Sequence, residues 1–257
     1  YLMNGGTIRN CVIVSNKATF GGAGVMCRLG GLVQDCVISD NYGDDFGGGV
    51  FCSDGGTVEG CTILRNGVHG GYGGGVALNG GGLLKNSIIV SNDAWVLGGG
   101  VYCADGGVVQ DCLIAQNVAS NFGGGVYCND GTVSRCTISN NWTYGVWPEG
   151  KGGGVLMTRT GLVENCNICN NYASDRAGGI ALDTNCQVRD CIIQNNYAEY
   201  YAGGVYVDEG GTVCNCTVVH NEVRWVRGGG VHCYEGGRVI NTIIYFAPTI
   251  LETTGLE

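Results

Sequence analysis

The chain has 257 residues, among them 50 glycines, two prolines and 16 cysteines, and its formal net charge is −9. This acidity opposes binding to nucleic acid, which needs a basic stripe, and docking on anionic membrane surfaces. No apolar run approaches the roughly 18–20 residues of a transmembrane segment, and so much glycine without any i, i+3, i+4, i+7 pattern excludes a helical solenoid.

The first element, around Ile8, Cys11, Ile13 and Asn16, recurs along the chain. Taking the cysteine as anchor, equivalent positions are Cys11, Cys36, Cys61, Ser87, Cys112, Cys136, Cys166, Cys191, Cys216 and Thr242, spaced 25, 25, 26, 25, 24, 30, 25, 25 and 26 residues apart. Three residues before each anchor stands Val, Ile or Leu, and two residues after it Ile or Val. Five residues after it stands Asn16, Asn41, Asn66, Asn92, Asn117, Asn141, Asn171, Asn196 or Asn221; only the tenth repeat breaks the column, with Ala247. A second block follows a glycine pair or triplet and reads Val25, Val50, Val76, Val101, Val126, Val155, Ile180, Val205 and Val231, with Cys27, Cys52, Cys103, Cys128 and Cys233 among the residues two further on.

Alternating β-branched residues punctuated by Gly and Asn predict short strands joined by tight turns, about three per repeat. One such unit cannot bury its apolar residues alone, whereas coils stacked on one another can. The expected fold is all-β: a right-handed single-stranded parallel β-helix of about ten coils of ~25 residues, its handedness following from the rule for parallel crossovers. The expected organisation is a single domain over 1–257. Repeats fill 1–246, and 247–257 form a tail or the start of a cap. Because Tyr1 aligns with Tyr102, inside a repeat, the chain is expected to be a piece of a longer protein.

Thirteen of the 16 cysteines fall in the two inward columns, which also accept Ser, Thr, Leu, Met and Val. They are expected to be small core fillers. Of the three outside, Cys169, Cys186 and Cys214, a bridge involving Cys186 and Cys214 is the best candidate disulfide. No paired CxxC spacing exists, and His69, His220 and His232 are far apart, so neither a metal nor a cofactor is expected. The Asn column is read as a hydrogen-bonded stack that satisfies turn backbone, with no catalytic part.

Gly21-Gly22-Ala23-Gly24-Val25 and Ile13-Val14-Ser15-Asn16, repeated across nearly all of 1–246, resemble the GGA[ILV] and FxxN repeats of chlamydial polymorphic outer membrane proteins. They also resemble the wider group of bacterial surface β-helix repeat proteins. Ile or Val replaces the usual Phe, and the cysteine load is heavier. The resemblance implies an adhesin-like, secreted or cell-surface bacterial protein.

A site is expected where the repeats differ, between each Asn and the next glycine block. All four tryptophans fall there: Trp95, Trp142, Trp147 and Trp225, with Phe122, Tyr144, Tyr172, Tyr200 and Tyr201. The adjoining strand is expected to expose Met26, Phe51, Ala77, Tyr102, Tyr127, Leu156, Ala181, Tyr206 and His232, giving one continuous aromatic face. Flat rings with polar handles suit carbohydrate or a protein surface. The longest loop, 142–151, is expected to form the lip of a groove. The favoured function is a non-catalytic structural or adhesive rod of unspecified oligomeric state. The runner-up is a carbohydrate-active enzyme drawing on Asp44, Asp45, Asp93, Glu149, Asp175, Arg176, Glu199, Glu222 or Arg227, and a third reading is a spacer without a ligand.

Overall fold

The computed structural model describes residues 1–146, 148–225 and 228–245; the expected tail at 247–257 lies outside them. Each coil places three short strands on a common lattice, as in Val50–Ser53, Thr57–Glu59 and Thr62–Leu64. A fourth strand of two residues follows, here Gly67–Val68, one more than the three expected per repeat. Like strands of successive coils pair in parallel, giving three ten-stranded sheets and one nine-stranded sheet. The register is that of the repeat: Val58 lies between Val33 and Leu84, and Ile63 between Ile38 and Ile89. We call the sheets first to fourth in the order met along a coil, beginning after the glycine block.

The corners are turned by single residues in the left-handed region. Asp35 (φ 51°) leads from the second sheet into the anchor, and Asp40 (φ 57°) leads into the Asn. Asn and Asp tolerate this conformation because a short polar side chain can bond its own backbone, which explains why they crowd these positions.

The core is a set of files along the rod: Val and Cys or Leu from the first sheet, Val from the second, the anchor, and Ile from the third. The fourth strand adds a file of small residues, with Ala94, Ala119, Thr143, Ala173 and Ala198 fully buried. Across this interior run eight asparagine rungs. Each Nδ2 donates to the Oδ1 of the next coil's Asn, at 2.8 Å for Asn16 to Asn41 and 2.9–3.1 Å for the rest as far as Asn196 to Asn221. The same Oδ1 accepts the backbone N–H of the preceding Asn, and Nδ2 also donates to a carbonyl of the previous coil, as Asn117 does to Ile89 O at 3.0 Å. The last glycine of each block faces this ladder. A Cβ on Gly49 would stand 2.6 Å from Gly75 O and 3.1 Å from Asn66 Nδ2, so only glycine leaves room for it.

The two cysteine files differ. Anchor thiols donate to the carbonyl two residues back, Cys112 to Gln110 O at 3.1 Å and Cys136 to Ser134 O at 3.2 Å. Ser87 does the same to Lys85 O at 2.7 Å and accepts the Cys61 N–H at 3.1 Å. The file in the first sheet is otherwise filled by Leu78, Met157, Leu182 and Val207, all apolar. All sixteen cysteines are free. The candidate Cys186–Cys214 bridge is not formed: Cys186 replaces a turn glycine and points into the core, donating to Arg159 O at 3.3 Å. Cys214 stands next to the inward Val213 in Thr212–Cys214 and so faces outward.

Asn117→Ala should cost about 2–4 kcal/mol in denaturant unfolding, since it strands several buried partners at once. Asn16→Ala, at the exposed end of the ladder, should cost less than about 1 kcal/mol. In the cysteine files, Cys112→Ser should be within about 1 kcal/mol of wild type, whereas Cys128→Ser should lose about 1–3 kcal/mol by burying a hydroxyl among apolar groups. Equal losses at the two sites would refute the distinction between the files.

Candidate ligand-binding edge

Each coil makes its longest excursion from the lattice between the fourth strand and the next glycine block, with a shorter turn between the first and second strands. The buried small residue of the fourth strand pins the start of that loop. Its end is pinned by one bridging residue, and Phe46, Tyr72, Leu97, Phe122, Lys151, Arg176 and Tyr201 pair with one another in succession along the rod. The side chains of these loops sort into two layers.

The inner layer is formed by the bridging residues leaning on the outward face of the first sheet. Phe46 stacks on Phe51 at 5.1 Å, Tyr72 on Tyr102 at 5.1 Å, and Tyr102 on Tyr127 at 5.5 Å. Further along, Leu156, Ala181 and Tyr206 are covered by Phe122, Tyr127 and Tyr201. The continuous exposed face expected on this strand is therefore corrected. Phe51, Ala77, Leu156, Ala181 and Tyr206 are buried, while Met26, Tyr102, Tyr127 and His232 are half-buried, because the returning chain lays its bridging side chains over the sheet. Burial pushes the Tyr102 hydroxyl up to about 12, with Tyr127 and Tyr72 adding to the effect.

The outer layer is exposed. Trp95 (55%), Trp142 (53%), Tyr144 (55%), Tyr200 (39%) and Trp225 (63%) project from the loops, with Tyr172 half-buried below them. Tyr172, Trp225 and Tyr144 are each held by a specific contact. Tyr172 stacks on Tyr197 at 5.7 Å and donates to Glu199 at 3.1 Å. Arg224 lies 4.8 Å above the Trp225 ring and 3.3 Å from Glu199, and Ser120 donates to the Tyr144 hydroxyl at 2.9 Å. Val118, Trp142, Thr143, Tyr144 and Tyr172 together line an open, almost wholly apolar shelf of about 400 Å³. Trp147 lies outside the described residues.

A second concavity, of about 240 Å³, opens at mid-rod on the outer face of the first sheet. Its floor is Leu156 and Ala181, its walls include Phe122, Tyr127 and Tyr206, and its charges are Lys151, Asp183 and Asp208. Lys151, the last residue of the long loop, lines this concavity and stands 3.8 Å from Asp208; no other residue of 142–151 lines it among the described residues. Asp183 and Asp208 follow the paired residues Leu182 and Val207 on adjacent coils. Sequence reading missed both, yet two acids at one repeat position, after Asn129 and Thr158, were a visible signal. On the adjoining ledge the Asn129 Oδ1 is buried without a partner.

Of the acids and bases singled out from sequence, only Asp175 and Arg176 come together with Lys151. Asp175 has no exposed side chain, and neither oxygen has a hydrogen-bond partner. Arg176 Nε is 3.3 Å away, and the guanidinium lies over the Tyr201 and Tyr206 rings at 5.5 and 5.2 Å. Burial raises the carboxyl above its usual range, against the pull of Arg176 and Lys151. Asp44, Asp93, Glu199 and Glu222 lie on separate coils, and Arg227 is outside the described residues. His69 packs on Trp95, His220 on Tyr245 and His232 on Tyr206, so the histidines do not converge. Among the described residues no group of three or more His, Cys, Asp or Glu is placed to hold an ion, and no helix is long and apolar enough to cross a membrane.

The profile of the family described as Right handed beta helix region matches residues 1–129 and 74–245. No curated protein and no solved structure matches the chain.

Asp175→Asn should reveal the cost of the buried charge. A carboxyl whose folded pKa is raised destabilises the protein once pH exceeds the unfolded value, and the penalty is complete above the folded value. The variant should therefore be more stable than wild type at pH 7, and the gain should fade as pH falls toward that of an ordinary aspartate. A less stable variant at pH 7 in thermal unfolding would mean that the charge is required to hold Arg176.

Proposed function

Since the chain belongs to the right-handed beta helix family, whose scaffold leaves the ligand open, we propose that it is a non-catalytic, secreted or cell-surface bacterial rod. It binds carbohydrate through the outer aromatic layer of its loop edge. The observation that carries this reading is the set of exposed rings on the loops of one edge, Trp95, Trp142, Tyr144, Tyr200 and Trp225, of which Trp142 and Tyr144 line the apolar shelf, Tyr144 is held by Ser120 and Trp225 packs under Arg224. Contiguous exposed apolar surface on a soluble scaffold marks a contact site. Fixed rings lose little entropy on binding, and their apolar faces match the C–H faces of sugar rings.

The side of the rod formed by the second and third sheets is laced by pairs between coils, Arg65–Asp40 and Arg135–Asp111 at 2.8 Å and Arg189–Glu164 at 2.6 Å. Such pairs add little stability when exposed, and Val37, Ile88, Leu113 and Ile192 stand exposed on the third sheet beside them, so what distinguishes the loop edge is its rings.

A second reading, carbohydrate cleavage, is favoured by Lys151, Asp183 and Asp208 meeting in the mid-rod cleft, since glycoside hydrolysis needs two carboxylates at a set separation. One set of measurements separates the two. A polysaccharide panel is screened with the wild type and with a Trp95→Ala, Trp142→Ala, Trp225→Ala variant. Retention of a polysaccharide by wild type, weakened at least tenfold in the variant with unchanged circular dichroism, is the expected result. Equal retention by both proteins would overturn the edge as the site. Release of reducing ends or unsaturated products, lost in Asp183→Asn or Asp208→Asn, would replace the binding reading with the catalytic one.

A further inference from the structure

Five successive coils place a cysteine at the anchor: Cys112, Cys136, Cys166, Cys191 and Cys216. Their sulfurs form an unbroken file at the corner between the second and third sheets. They are free thiols with 2–4% of their surface exposed, whereas the first-sheet thiols Cys27, Cys52, Cys103 and Cys128 have none. The file therefore lies one layer beneath the turn, within reach of an ion that parts a single corner.

We propose that this file binds a soft, closed-shell cation of the Cu(I), Ag(I) or Hg(II) type, held linearly between the sulfurs of successive coils. The spacing carries the proposal. Parallel strands stand about 4.8 Å apart, while a disulfide needs its sulfurs at about 2.05 Å and its Cβ atoms at about 3.8 Å. The lattice keeps neighbouring anchors from being oxidised to each other. Two metal–sulfur bonds of about 2.3 Å laid end to end span about 4.6 Å, close to the spacing between the coils that carry the sulfurs. Thiolate ligands select soft ions over Mg²⁺ or Ca²⁺, which require six or more oxygens or waters. Two-coordination is also why no cluster of three donors is needed.

Backbone N–H groups point at sulfurs of the file, that of Cys136 at the Cys166 sulfur and that of Cys166 at the Cys191 sulfur, both at 3.4 Å. Cys136 and Cys191 are drawn below the usual thiol range, chiefly by contacts with the neighbouring thiols. Cys112, Cys166 and Cys216 are pushed up, first by the same contacts and then by burial. Binding exchanges two S–H protons, released to solvent, for two metal–sulfur bonds. The buried product is neutral with a divalent ion and carries one negative charge with a monovalent one, and no electron is transferred.

The test uses the full chain with the four solvent-facing cysteines, Cys11, Cys169, Cys214 and Cys233, replaced by serine. The reduced protein is titrated without oxygen with Ag⁺ and, separately, Hg²⁺, and bound ions are counted by native mass spectrometry beside circular dichroism and X-ray absorption. The second protein adds Cys136→Ser and Cys191→Ser, which removes every adjacent pair in the file while Ser87 shows that serine fits the column. The expected result is two fewer ions per chain in the second protein, two sulfurs per ion in the first, and an unchanged β spectrum in both. Equal stoichiometry in the two proteins, ions bound by three or more sulfurs, or uptake only as the β signal is lost would each overturn the proposal.

Discussion

The contact between the asparagine ladder and the glycine block governs the rest of the molecule. Each Asn side chain turns into the rod and saturates its amide on three groups: the next coil's Asn Oδ1, a carbonyl of the previous coil and, through its own Oδ1, a backbone N–H. A buried polar group is tolerable only when it is fully paired, and here the pairing partners are other copies of itself. The ladder is therefore sound only if every coil places its Asn at the same height. It holds the register while loops vary in length, which is how a 30-residue coil stands among 25-residue ones without disturbing Asn141 to Asn171 at 2.9 Å. Glycine across the interior is the other half of this contact, because a single Cβ at Gly49 would collide with both Gly75 and Asn66.

Fixing the coil at that point decides where diversity can sit. The chain is freest from the buried small residue of the fourth strand to the bridging residue, so the long 142–151 loop and the added residue before Tyr72 emerge along one edge, while the one-residue shortening at 130–131 falls in the turn between the first and second sheets. A bridging side chain must then close the gap to the first sheet, which it does by lying on that sheet's outward residues. This closure divides the aromatic residues into those that seal the scaffold, such as Phe46 and Tyr72, and those left outside, such as Trp95 and Trp225. At coil six the bridging position is Lys151 and at coil seven Arg176, so the seal becomes polar and shallow where Leu156 and Ala181 form the floor. The mid-rod cleft is the place where the aromatic seal is interrupted.

The architecture was legible because a solenoid writes its third dimension into its period. Residues about 25 apart are spatial neighbours, so the Val, Cys, Ile and Asn columns were a contact map read directly from the chain. The fourth strand was not legible: its inward file of Ala18, Gly43, Val68, Ala94 and Thr143 has neither β-branched consistency nor alternation and reads as loop. Which way each loop ring faces was hidden for another reason. Side-chain direction alternates along an extended chain, and loop length hides which ring bridges: Tyr72 stands six residues after its Asn and Phe46 five, yet both lie in the inner layer. The first-sheet strand was mistaken for an exposed one because outward and exposed were equated, and Phe51, Leu156 and Tyr206 are outward yet covered.

The same period makes chemistry cumulative. In an ordinary fold a free buried thiol is an isolated event, whereas here a choice made once per coil becomes a row, and the spacing of the row is set by the backbone. Rows of β-branched residues yield a core, rows of Asn a hydrogen-bonded spine, and rings on successive loops an aromatic edge. The anchor column accepts Cys, Ser and Thr because a single demand, donation to the carbonyl two residues back, is met by each of them. Packing alone thus leaves sulfur and oxygen nearly equivalent at the anchor. The long uninterrupted run of sulfur from Cys112 to Cys216 asks for a cause that hydrogen bonding and volume do not supply, and a property belonging to pairs of coils is the kind of cause a solenoid can provide.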